Sequence, residues 1–259
     1  MVRVLKTAVV QQDIIWENAT ENLGRLEKII GDFKQDLDLL VLPEMFHCGF
    51  TMQPTNVVQK PGGAVVSWMH KMAKILNACV MGSIVEQVEQ QFVNRLYVID
   101  PNGEESIYDK RHLFRMGGEN KAYKSGDERL IVNINGWRIC PLICYDLRFP
   151  VWSRNRNDYD VLIYVANWPS TRRDVWRSLL KARALENQSY VIGANRVGED
   201  GSNNYAGDSM MIDAKGKVLV EASEFVEEVI YSELSYNDLH QFREKFPVWM
   251  DSDDFEIKI

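Results

Sequence analysis

Three polar residues of this chain sit where packing gives no reason for them. Glu44 follows Pro43 at the carboxyl end of an apolar run, in LLVLPEMFHCGF. Lys110 closes a β-type segment, in SIYDKRHLF. Cys144 closes another, in RICPLICYDLRFP. In α/β proteins, catalytic and ligand-binding groups gather beyond the carboxyl ends of strands, where loops meet. A carboxylate, an ammonium and a thiol can converge there. Taken singly, each has a plainer reading: Glu44 as a solvated loop residue, Lys110 as a surface cation, Cys144 as small core filler. Context joins them. Cys144 is followed by Tyr145-Asp146-Leu147-Arg148-Phe149-Pro150 and then a predicted helix, and a strand turning sharply into a helix exposes a nucleophile. The positive end of that helix and a nearby lysine are expected to favour thiolate.

Alternating strands and amphipathic helices must position these residues. Val2 to Val10 reads as a buried strand. Asn18 reads as a helix N-cap, with Glu21 closing a capping box, and Leu23, Leu26, Ile30 and Phe33 share one helical face. Asp38 to Leu42 is a strand, Val65 to Leu76 a second amphipathic helix, and Cys79 to Val85 a strand. Hairpins follow. One turns at Pro101-Asn102-Gly103 and ends at Lys110. The next turns at Asn135-Gly136, a strong two-residue hairpin signal. Asp160 to Ala166 and Tyr190 to Asn195 are strands around a helix from Val175 to Gln188. A last hairpin turns at Ala214-Lys215-Gly216, and a polar, partly helical tail follows Leu234. This pattern predicts one compact α/β domain over residues 1–259, with a core of about 4–234 and a tail of 235–259.

Composition bounds the function. Lysine plus arginine number 30 against 37 aspartate plus glutamate, a net charge of −7. That balance lends nothing to nucleic-acid binding. No apolar stretch approaches the roughly 18 residues of a membrane span, and the N-terminal apolar run has no small-residue cleavage site. A cytoplasmic protein is expected. The four cysteines are too sparse for a disulfide framework. His47-Cys48, His70, Cys79 and His112 have no zinc-site spacing, and no phosphate-binding glycine motif occurs. The acidic Asp251-Ser252-Asp253-Asp254 end reads as solvated.

The three motifs, in this order, resemble those of the nitrilase superfamily of carbon–nitrogen hydrolases. VANWPS, KARALENQSYVIGANR and GDSMMIDAKGKVL extend the resemblance over Val4 to Leu234. Within the superfamily the chain is most similar to the bacterial ω-amidases, through ICYDLRFPVWSRN, NDYD and ANWP. The resemblance implies an α-β-β-α sandwich of two mixed sheets with outer helices, usually a homodimer. It implies Cys144 as nucleophile, Glu44 as general base, and Lys110 with the Tyr145 backbone N–H as oxyanion donors. Glu119, in GGENKAYKSGD, matches the second glutamate found near the lysine. His112 belongs to a family segment and reads as a supporting residue. No metal and no cofactor is implied.

The implied substrate is a small amide carrying a remote carboxylate, so a cation should meet it. Arg148, Arg172 and Arg173 are the candidates, each with a solvated or ion-paired alternative. Phe46, Tyr145 and Trp168 are candidates to wall a small pocket, with core packing as the alternative for each. Other branches of the superfamily remain open at this point, among them deaminated-glutathione and N-carbamoyl amide hydrolases. A non-catalytic scaffold on the same fold is a further alternative, weakened by the presence of all three reactive residues.

Overall fold

The computed structural model describes residues 3–258. Val2, where the sequence reading starts the first strand, lies outside the described residues. The elements are β1 (Val4–Gln11), α1 (Ala19–Asp32), β2 (Leu39–Val41), α2 (Ala64–Leu76), β3 (Cys79–Val88), β4 (Gln91–Ile99), β5 (Glu105–Asp109), α3 (Glu119–Ala122), β6 (Val132–Ile134), β7 (Trp137–Ile143), α4 (Pro150–Ser153), β8 (Val161–Ala166), α5 (Arg173–Asn187), β9 (Tyr190–Asn195), β10 (Val197–Glu199), β11 (Asn204–Ala206), β12 (Met210–Ile212), β13 (Val218–Glu221), β14 (Glu228–Ser235) and α6 (Tyr236–Lys245).

Two six-stranded sheets form, in the orders β14-β1-β2-β3-β4-β5 and β13-β12-β9-β8-β7-β6, beside a small β10–β11 hairpin. In the first, β1, β2 and β3 run parallel and the flanking pairs are antiparallel. In the second, β7, β8 and β9 are the parallel centre. This is the expected α/β architecture of two mixed sheets with outer helices.

Strand alternation explains the layering. Leu5 and Val9 of β1, and Leu96 and Val98 of β4, join the large apolar cluster that includes the second sheet. Ala8, Val10, Tyr97 and Ile99 on the opposite faces pack with α1 and α2. Helix α1 starts as read: Asn18 Oδ1 accepts the Glu21 backbone N–H at 3.2 Å. The reciprocal bond runs from Asn18 Nδ2 to the Glu21 carboxylate rather than from the backbone.

The core does not end at Leu234. Helix α6 buries Leu239 in it, and Arg243 donates to Asp160 Oδ1 (2.9 Å), the Tyr159 carbonyl (2.9 Å) and the Gln188 carbonyl (2.8 Å). An arginine so deeply placed reads as surface charge in sequence, because its three acceptors lie 55 to 84 residues away. The acidic end is exposed as expected, yet Ile257 beyond it packs back on the core. Among the described residues no helix is long and apolar enough to cross a membrane.

Candidate active site

Glu44 sits three residues past the end of β2, at the start of a turn, and its neighbours leave it little freedom. Met45, at φ 45°, turns the chain sharply, and its N–H is held by Ser83 Oγ at 2.9 Å. The Glu44 carboxylate accepts from Asn94 Nδ2 (2.8 Å), Lys110 Nζ (2.8 Å) and the Asn167 backbone N–H (2.9 Å). Asn167 Nδ2 donates to the Glu44 carbonyl at 2.5 Å. The residue is fully buried, so these donors stand in for water.

Lys110 follows β5 and shares its parity with Tyr108, which faces the space between the sheets. Its Nζ contacts Glu119 Oε1 (2.9 Å) and Oε2 (3.0 Å) as well as Glu44. Burial opposes the Lys110 charge. Glu119, Glu44 and Cys144 outweigh it and hold the amine above its ordinary pKa. Glu119 is held in turn by the Phe114 N–H. Burial pushes its carboxyl above the usual range, with Lys110 opposing and Glu44 adding to the rise.

Cys144 opens a five-residue 3-10 turn (Cys144–Arg148) directly after β7, at φ 43°. A non-glycine residue in this region is strained, and five contacts hold the turn in place. Asp146 Oδ2 accepts from the Ile143 N–H (3.0 Å) and the Tyr108 hydroxyl (2.7 Å); Asp146 Oδ1 accepts from the His112 N–H (2.9 Å) and lies 2.8 Å from His112 Nδ1. Arg183 Nη2, from α5, donates to the Leu147 carbonyl at 2.6 Å. The helix predicted after this turn is the four-residue α4. Burial, and next the Glu44 carboxylate, push the Cys144 thiol well up; Lys110 opposes them without prevailing. Lys110 thus favours thiolate as expected, but burial and the Glu44 carboxylate outweigh it.

A cavity of about 520 Å³ opens over Cys144. Tyr145, Trp168, Arg148 and Arg172 line it, as the sequence reading proposed. The Arg148 guanidinium lies 5.2 Å from the Trp168 ring centre, and that of Arg172 lies 5.4 Å from the Phe114 ring centre. Neither is ion-paired among the described residues, so two unpaired cations line the cavity that Cys144 also lines. Two candidates fall away. Arg173 opens α5 and is paired with Asp208 and Glu224. Phe46 is fully buried against Trp68 and the α2 side of the first sheet; the turn at Met45 carries it away from Glu44. His112 supports the site as expected, bonded to Asp146 and stacked on Phe149 at 3.7 Å.

Some contributors were not singled out from sequence. Asn94 reaches Glu44 and, at 3.4 Å, Glu119. Its parity with Leu96 and Val98 in FVNRLYVI marks a polar residue on an inner strand face, a signal that was present. Phe50, Phe114 and the β10–β11 hairpin, through Asp200, Asn203 and Tyr205, complete the cavity wall. Nothing local marks these loop residues.

Comparison with known proteins agrees with this geometry. The family profile described as Carbon-nitrogen hydrolase matches residues 6–244. The chain is 47% identical to the omega-amidase YafV of Escherichia coli over 98% of both chains. It is 34% identical to the 2-oxoglutaramate amidase of Bacillus subtilis, over 93% of this chain and 95% of that one. A solved CN-hydrolase superfamily protein from Xanthomonas campestris, bearing an arsenic adduct in its active site, superposes with a TM-score of 0.96 at 39% identity, covering 99% of this chain and all of that one. With a buried acid and amine and a half-buried cysteine gathered between two mixed sheets, the chain belongs to the carbon–nitrogen hydrolase family of the nitrilase superfamily, as an amidase-type hydrolase of C–N bonds.

Proposed function

We propose that this chain hydrolyses the side-chain amide of 2-oxoglutaramate to 2-oxoglutarate and ammonia through a thioester on Cys144. The observation that carries this reading is the meeting of Glu44, Lys110 and Cys144 beneath a cavity that holds two unpaired arginines. The relatives named for ω-amidase and 2-oxoglutaramate amidase activity support the choice of substrate.

The chemistry follows from the geometry. Cys144 Sγ attacks the amide carbon while its proton passes to Glu44. Because the resting sulfur is a thiol, proton transfer accompanies attack rather than preceding it. The carbonyl oxygen gains charge, and Lys110 Nζ with the Tyr145 N–H stabilises it; one such donor contributes about 3 kcal/mol. Glu44 returns the proton to nitrogen, the C–N bond breaks and ammonia leaves. Water then attacks the thioester, Glu44 takes its proton, and the thiol departs with that proton restored. Glu119 keeps Lys110 charged and in place. The substrate carboxylate, remote from the amide, meets Arg148 or Arg172. No metal or organic cofactor takes part.

Purified protein supplied with 2-oxoglutaramate and a panel of larger amides should release ammonia fastest from 2-oxoglutaramate. An inert 2-oxoglutaramate beside a fast larger amide overturns the substrate; full turnover by Cys144→Ala overturns the nucleophile. Replacing Arg148 or Arg172 with methionine should raise KM for the one that holds the carboxylate.

We further propose a cytoplasmic homodimer. Four free cysteines suit a reducing compartment. Exposed Val151 and Leu185, on the outer helices α4 and α5, supply apolar surface for a second copy. Sedimentation of the purified protein tests the dimer.

A further inference from the structure

We propose that Asn167 determines specificity for amides, its side-chain oxygen accepting a hydrogen bond from the N–H of the scissile amide. This role rests on Cys144 being the nucleophile.

Asn167 follows β8 and lines the cavity beside Cys144. Only 4% of it is exposed. Its backbone N–H is held by Glu44 Oε2 and its Nδ2 by the Glu44 carbonyl. Those two bonds fix which way the carboxamide lies: turned over, it would set Oδ1 against the Glu44 carbonyl, acceptor against acceptor. Oδ1 is therefore the side chain's one acceptor, and it is left wholly without a partner, whereas one of the two N–H groups of Nδ2 already goes to Glu44. Among the described residues no donor reaches it. A buried acceptor left unmatched costs about 1–3 kcal/mol, which a substrate donor would recover.

The bound amide supplies that donor. Its carbon goes to Cys144 and its oxygen to Lys110 and the Tyr145 N–H. What remains is the NH₂ group, which must lie by Glu44 to receive a proton. Asn167 grips Glu44 from both backbone and side chain, so its oxygen belongs to the same corner. One N–H donates to Oδ1, and the nitrogen lone pair that appears on attack is left facing Glu44. An ester presents a lone pair in place of that N–H, and a nitrile presents no hydrogen at all. A site built to accept such a bond discriminates against analogues that lack the donor.

The test compares kcat/KM on 2-oxoglutaramate and on the 5-methyl ester of 2-oxoglutarate, for native enzyme and for Asn167→Ala, with Asn167→Ser as the second variant should the first not fold. The pH profile of Cys144 alkylation by iodoacetamide is measured alongside, because it reports the effect of Glu44 on the thiol without any amide recognition. The expected result is a loss of about tenfold or more on the amide, little change on the ester, and an unmoved alkylation profile. An equal loss on both substrates, or a shifted profile, means that Asn167 acts only through Glu44 and overturns the proposal. A native enzyme that acylates Cys144 from neither substrate overturns instead the reading beneath it.

Discussion

Asp146 Oδ1 lies 2.8 Å from His112 Nδ1 and accepts the backbone N–H of the same residue at 2.9 Å. Its other oxygen holds the Ile143 N–H and the Tyr108 hydroxyl. The loop that carries Lys110 and the turn that carries Cys144 are thus tied through one buried carboxylate.

Breaking that tie should disturb the nucleophile and show which arginine binds the substrate. Asp146→Ala leaves several buried donors unmatched, each at a cost of about 1–3 kcal/mol. Thermal unfolding should shift down markedly. In protein that remains folded, kcat should fall, because the turn that presents Cys144 is loosened; KM should rise with it if Arg148, on the same turn, holds the carboxylate, and stay near native if Arg172, outside the turn, does. Asp146→Asn, which keeps one acceptor, should lie between. A native kcat in Asp146→Ala contradicts the role.

Glu44→Gln should uncouple turnover from thiol acidity. The carboxylate accepts the thiol proton during attack, so acylation should slow by roughly 10²–10⁴-fold. The same carboxylate raises the Cys144 pKa, second only to burial, whereas Lys110 lowers it. Removing the negative charge leaves Lys110 less opposed, so the alkylation profile of Cys144 should move to lower pH. Stopped-flow acylation and iodoacetamide titration check the two halves independently.

Lys110→Met leaves Glu44 and Glu119 facing each other, buried and without their cation. Stability should drop by about 3–5 kcal/mol, the usual consequence of stranding a buried charge. Adding Glu119→Gln should recover much of that loss without recovering activity, since the oxyanion donor is still missing. Denaturant unfolding of the single and double variants measures the recovery; restored turnover in the double variant contradicts the oxyanion role.

His47 sets part of the acid limit of the fold. It is fully buried, and burial lowers its pKa from 6.5 to about 4. The unfolded chain therefore takes up a proton below pH 6.5 that the folded chain refuses. Its contribution to stability is intact above pH 6.5 and is lost as pH falls from 6.5 to about 4, by about 3 kcal/mol in total. Melting temperatures at pH 7 and pH 4.5 should differ less in His47→Gln than in the native chain.

The reactive trio was legible because polar groups at the ends of apolar strands have little structural reason to be there. The rest depended on contacts between distant segments. Arg172 and Arg173 are adjacent in sequence, yet α5 begins between them; one lines the cavity and the other turns to Asp208, 35 residues on. Phe46 lies two residues from Glu44, but the positive φ at Met45 separates their environments. Arg243 in the supposed tail closes on Asp160, which local pattern cannot reveal. Asn94 was readable in principle, since strand alternation alone turns it inward.

The rise in the Cys144 pKa caused by burial and the Glu44 carboxylate has a consequence for survival under oxidative stress. Peroxide converts thiolates to sulfenic acid far more readily than it does thiols. An enzyme whose sulfur sheds its proton only as a bound substrate is attacked keeps its nucleophile out of the oxidant's reach between turnovers, while a cysteine hydrolase that stores a thiolate stays vulnerable throughout.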